Sequence, residues 1–107
     1  MSEKQFHEQC ERTLRAIEDA IDACGVDVDT SRSGQVLELE FDDGSKIIVN
    51  GNEPVREIWV AARSGAFHYR ADAGKWIDTR SGDDLFVTLS RLVSQHAGSQ
   101  IKLSDAD

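Results

Sequence analysis

Near the N-terminus, apolar residues recur at three- and four-residue spacing: Phe6, Cys10, Thr13, Leu14, Ile17, Ala20, Ile21 and Cys24. At about 100° per residue they fall on one stripe, the pattern of an amphipathic helix with a single core-facing side. Ser2 and Gln5 have capping-box spacing and Gly25 stands where a helix stop belongs, so the helix is predicted over residues 3–24. The period then changes to two. Leu37, Leu39 and Phe41 alternate with Glu38 and Glu40, one face dry and one wet, and Asp42-Asp43-Gly44 turns the chain into a strand at Lys46–Asn50. A second hairpin is expected from Glu57–Arg63 and Ala66–Ala71 around Ser64-Gly65, followed by a short strand at Lys75–Asp78. A further short strand at Val26–Thr30 completes the set, and Pro54, the only proline, fits the loop before the Trp59 strand. Helical spacing returns with Leu85, Phe86, Leu89, Leu92, Val93 and His96; Ser81 is the expected cap, with acids in the first turn, and Gly98 the stop.

Helix, six-strand meander, helix is an α+β order. Two amphipathic helices and one consecutive antiparallel sheet can bury their apolar faces only against each other. The expected fold is therefore a two-layer α–β sandwich, both helices on one face of the sheet and the other face open to solvent. A single domain over residues 1–98 is expected. The remainder, 99–107, is polar apart from Ile101 and Leu103 and is expected to be a loosely ordered tail, unless those two pack between the helix ends.

At 107 residues, 39% hydrophobic and 30% charged, the chain has a globular composition and enough length for one core. Cys10 and Cys24 on one helix would stand about 21 Å apart, too far for a disulfide, so both are expected to be reduced, buried small hydrophobes. No apolar run approaches a membrane span, and neither a signal peptide nor a transit peptide is legible at the start, so a cytoplasmic protein is the simplest expectation.

Charge changes the picture most. Residues 1–43 carry twelve acids against four bases, whereas residues 44–107 carry eight of each, so the whole net charge of −8 belongs to the first 43 residues. Such a field attracts cations or a basic partner and argues against nucleic acid, which needs a basic stripe. On the first helix Glu11, Glu18 and Asp22 share one exposed edge, with Glu8 and Asp19 further round. Asp27 and Asp29 follow as alternate residues pointing the same way. Lys4–Glu8, Glu8–Arg12 and Glu11–Arg15 are pairs at helical spacing, but only Arg15 can reach Glu18 and Asp19 along the helix, and no base lies at helical spacing from Asp22. These acids form either a solvated face that aids solubility or a weak, poorly selective site for hard cations. His7, four residues before Glu11, is either a surface histidine or an added nitrogen ligand.

No Ser-His-Asp ordering, phosphate-binding glycine loop or HExxH motif is present, so an enclosed nucleophilic site is not expected. The sheet offers a second surface. If Ile58 and Val60 face the helices, Trp59 stands on the open face, where tryptophan often anchors a partner; with Ile58 outward it is a packing residue instead. Trp76 is read as structural.

Taken together, Phe6-His7, the Ile17-Glu18-Asp19 acid helix, Gly44 to Asn50, Glu53-Pro54, Ile58 to Ala61, Trp76-Ile77 and Ser81-Gly82 resemble the frataxin family, specifically its bacterial members. The segment from Asn50 through Pro54 to Trp59 is the most distinctive. The resemblance covers nearly the whole chain and implies an α–β sandwich that binds iron (Fe2+ or Fe3+, with other divalent cations possible) weakly on its acidic ridge. It also implies a part in iron–sulfur cluster assembly, through docking on a basic surface of cysteine desulfurase close to the scaffold protein. By this resemblance Glu18, Asp19, Asp22, Asp27 and Asp29 are ridge ligands and docking charges and His7 is an auxiliary ligand; Glu11, on the same exposed helix edge, is a further candidate metal ligand. Asn50, Asn52 and Trp59 belong to the sheet surface facing the partners. Ala23 and Val26 interrupt a stretch more densely acidic in some relatives, and Asn52 and Glu57 stand where Gln is common.

The resulting expectation is a non-enzymatic, iron-binding regulator of cluster assembly, iron donor or iron sensor, monomeric without metal and able to form iron-dependent oligomers. Two rivals stand beside it. One is an acidic protein-interaction module in which metal is incidental; the other is a ferroxidase that stores its product in oligomers.

Overall fold

The computed structural model describes residues 1–105. Along them run α1 (Glu3–Ala23), β1 (Val28–Ser33), β2 (Val36–Phe41), β3 (Lys46–Asn52), a 3-10 turn (Glu53–Val55), β4 (Glu57–Ala62), β5 (Gly65–Asp72), β6 (Lys75–Asp78) and α2 (Leu85–Ala97). The six strands form one sheet in sequence order, every neighbouring pair antiparallel. Both helices pack on its inner face, so the α–β sandwich expected from the hydrophobic pattern is the observed fold.

Period-two alternation decides what each strand buries. Leu37, Leu39 and Phe41 of β2, Ile47 and Val49 of β3, Ile58 and Val60 of β4, Tyr69 of β5 and Trp76 of β6 face the helices. They meet Phe6, Cys10, Leu14, Ile17 and Ile21 from α1 and Leu85, Leu89, Leu92 and Val93 from α2. Trp76 is structural: its indole N–H donates to Thr13 Oγ1 at 2.9 Å, tying α1 to the far edge of the sheet.

The predicted capping box is present, with Ser2 Oγ accepting from Gln5 N and the Gln5 side chain accepting from Ser2 N. At α2 the cap differs from expectation. Asp84, not Ser81, accepts from the Phe86 N–H at 2.8 Å, and no acid occupies the first turn. The reason lies upstream. The buried Asp78 carboxylate accepts from the N–H groups of Arg80 and Ser81, holding that stretch as a turn. The first strand also starts later and runs further than expected, at Val28–Ser33.

After Gly98, left-handed at φ 73°, the chain runs back along α2. Ser94 Oγ accepts from the Ile101 N–H and Ser90 Oγ from the Leu103 N–H, both at 2.8 Å, and Leu103 joins the core. Residues 106–107 of the expected tail lie outside the described residues.

Candidate functional site

At the β1 edge of the sheet, the side of α1 that carries Glu11 and Glu18 meets the first strand. Arg32 makes that junction. In β1 it alternates with the outward Ser31 and Ser33 and is paired with the inward Leu37, so its side chain rises toward α1. There it is 20% exposed, bonds Glu18 Oε1 from Nη1 at 2.9 Å and contacts Glu11 from Nη2. The cross-element pair replaces the Glu11–Arg15 pair expected from helical spacing, and it supplies Glu18 with a cation that spacing along the helix does not reveal. Of the expected helical pairs, only Lys4–Glu8 is within ion-pair distance among the described residues, at 4.0 Å.

The remaining ridge acids are left open. Asp19, Asp22, Asp27 and Asp29 are exposed and have no cationic partner within ion-pair distance among the described residues. Asp27 and Asp29 are not the alternate strand residues expected to point with the α1 acids. Asp27 precedes β1. Asp29 faces the outer side of the sheet, opposite Glu40 across the β1–β2 ladder, because its neighbours Val28 and Thr30 pair with the inward Phe41 and Leu39. Asp42, at the β2–β3 turn, comes within hydrogen-bonding reach of Asp27. The Asp27 charge raises the Asp42 pKa above its ordinary value, with smaller contributions from Asp29 and Asp43. Two carboxylates this close repel when both are ionised, and a bound cation or proton relieves them. Asp42 joins these acids from the β2–β3 turn, where the adjacent Asp42-Asp43 pair is its signal in the sequence.

His7 is elsewhere. It lies eleven residues before Glu18 on the same helix, about 16 Å along the axis. Its Nε2 contacts Glu53 of the 3-10 turn, and with Glu3 it forms a group whose ligand atoms all lie within 4.8 Å of one another. One imidazole and two carboxylates suit borderline first-row metals rather than calcium or magnesium. Glu53 is 46 residues from His7 in sequence, which is why spacing could not find it.

The outer face of the sheet holds the third group. Ile58 and Val60 are buried inward, so Trp59 stands outward, half-buried, opposite Asn50 on β3 and His68 on β5. Its indole stacks on the His68 ring at 4.5 Å and 16° between planes. The next row along is Asn52, Glu57 and Arg70. Glu57 Oε1 accepts from Trp59 Nε1 at 2.8 Å and Oε2 from Arg70 Nη2 at 2.9 Å. These bonds, that from Trp59 foremost, hold its carboxyl below the usual range.

Asp43, Ser45 and His96 also converge, Ser45 Oγ lying 2.7 Å from His96 Nδ1 and donating to Asp43 Oδ1 at 2.6 Å. The carboxylate takes the hydroxyl proton rather than orienting the imidazole, so the set closes a turn and lacks the order of a nucleophilic relay. Cys10 and Cys24 are both free thiols, Cys10 buried as expected and Cys24, at the C-cap of α1, only partly so; burial pushes the Cys10 thiol up to about 11. No helix among the described residues is long and apolar enough to cross a membrane.

The class is thus an α–β sandwich with a six-stranded antiparallel meander, two helices on one face, an acidic edge and an open sheet face. The chain belongs to the frataxin family: the frataxin-like domain matches it over residues 1–99. It is 50% identical to the iron–sulfur cluster assembly protein CyaY of Cupriavidus pinatubonensis over 96% of each chain. Against the protein of the same name from a Janthinobacterium species it is 48% identical over 100% of both. Frataxin from Psychromonas ingrahamii superposes with a TM-score of 0.91 at 32% identity, covering 97% of this chain and 99% of that one. Trimeric frataxin from Saccharomyces cerevisiae, complexed with ferrous iron, has a TM-score of 0.67 at 22% identity over 92% and 88% of the two chains, a likeness of fold alone.

Proposed function

We propose that this protein acts in iron–sulfur cluster assembly as an iron-binding regulator whose acidic ridge docks on cysteine desulfurase beside the scaffold protein. Relatives sharing about half of its sequence are named for cluster assembly. The observation that carries the ridge assignment is that Asp19, Asp22, Asp27 and Asp29 have no cationic partner within ion-pair distance among the described residues, with Asp42 set against Asp27. All-oxygen, exposed and unenclosed, these carboxylates suit a hard cation held weakly. The same charges attract a basic protein surface, over a range set by the ~10 Å screening length at 0.1 M salt. Iron on the ridge lowers its negative charge and so changes how it docks. Glu11 and Glu18, engaged by Arg32, are less available as metal ligands. His7 with Glu3 and Glu53 is a second, mixed-donor place for a divalent cation. Asn50, Asn52 and Trp59 meet the scaffold on the sheet face.

The test is sulfide production by cysteine desulfurase with its scaffold, with and without this protein and with and without Fe(II). An iron-dependent change in rate, lost when Asp19 and Asp22 are reversed to Lys, supports the proposal. A rate change indifferent to iron but suppressed by salt favours a docking module with incidental metal. Catalytic oxygen consumption during aerobic iron titration favours the ferroxidase.

A further inference from the structure

We infer that Glu57 is a positioning residue: clamped by Arg70, it fixes the Trp59 indole as a preformed platform on the outer face of the sheet. The inference rests on the proposal that the sheet face meets the scaffold.

A buried carboxylate sits beside this indole. Glu57 lies on the solvent side of the sheet, yet its side chain is only 9% exposed. A carboxylate withdrawn from water loses hydration that the inner core does not require, since Ile58 and Val60 bury on the other face whatever stands at position 57. A cost that does not serve the core points to a function for what it holds in place.

What Glu57 holds is Trp59. One Glu57 oxygen accepts the indole N–H and the other is taken by Arg70, so the carboxylate cannot turn away. His68, stacked beneath, sets the tilt of the ring. The indole therefore has its orientation before a partner arrives. A free tryptophan would be ordered only on binding, and avoiding that loss is worth roughly 2- to 10-fold in affinity.

The clamp also sets the chemistry of the partner. Arg70 cancels the Glu57 charge, so the platform is locally neutral on a chain of net charge −8. A basic segment belongs on the ridge. The platform, bounded by the Asn50 side, suits a flat, uncharged segment of the scaffold such as a proline ring or an exposed peptide plane.

The experiment compares Glu57→Ala, Glu57→Gln and Trp59→Ala in the full chain, with melting curves to confirm folding. The indole N–H resonances are recorded, and affinity for the purified scaffold protein is measured by calorimetry. Trp76, whose N–H is held by Thr13, serves as the internal reference. In Glu57→Ala the Trp59 N–H signal moves to the position of a solvated indole while that of Trp76 stays, and scaffold affinity falls roughly 2- to 10-fold. Glu57→Gln keeps an acceptor oxygen and restores both. An unmoved Trp59 signal, or unchanged affinity in Glu57→Ala when Trp59→Ala has lost binding, overturns the positioning role. Unchanged affinity in Trp59→Ala overturns the sheet-docking proposal, and this inference with it.

Discussion

A methyl group at Gly51 would lie 2.6 Å from Cys10 Sγ, closer than real Cβ atoms approach, and a tight 3.0 Å from the Gln35 side-chain oxygen. Gly51 faces inward opposite Ile58, so its missing side chain lets α1 settle onto β3. Gly51→Ala is expected to cost about 1–3 kcal/mol in urea denaturation. Adding Cys10→Ala removes the obstructing sulfur and brings the cost of the glycine change below about 1 kcal/mol. His96 carries a pH effect. It stacks on Phe41 at 4.6 Å, and burial first, then Arg63, lowers its pKa from the ordinary 6.5. The unfolded chain thus takes up this proton at a higher pH than the folded one, and stability falls as pH drops from 6.5 toward the folded value. His96→Gln should flatten that limb in denaturant titrations between pH 7.5 and 5.5. An unchanged slope would mean that the imidazole contributes nothing to it.

Among the elements, α1 and the alternating strands were legible because one periodicity governed each over many residues. The start of α2 was not. Ser81 followed by acids has the composition of a cap, but Asp78 takes the Ser81 N–H and moves the helix start to Asp84. That competition involves a buried side chain three residues back, which a capping pattern does not include. The C-terminal segment was similarly indistinct, its two apolar residues leaving both a loose tail and a packed one open. Leu103→Ala separates them. With Leu103 seated against α2 and held through Ser90, the substitution should cost about 2–3 kcal/mol in thermal or urea unfolding. A loosely held tail would leave the midpoint unmoved.

Across the whole molecule, the sequence shows that charge is segregated but cannot say which acids are spent on the fold. Arg32 is 21 residues from Glu11 and 14 from Glu18, and only the β1–α1 junction brings them together. The same limit hid Glu53 from His7. The fold therefore divides the ridge into a clamped half, Glu11 and Glu18, and an open half, Asp19, Asp22, Asp27, Asp29 and Asp42. Neutralising an acid that already has an arginine leaves that arginine free, so it shifts the net field by one charge while breaking an internal pair. Neutralising an open acid removes field alone. Docking on a basic surface should follow this division. Asp19→Asn with Asp22→Asn is expected to weaken desulfurase binding about tenfold at 50 mM salt without lowering the melting temperature. The matching pair Glu11→Gln with Glu18→Gln should lower the melting temperature as well. At 0.5 M salt, where the screening length shrinks to a few ångströms, the binding deficit of the aspartate pair should nearly vanish. A deficit that persists at high salt would mean that Asp19 and Asp22 act by direct contact rather than as part of a field.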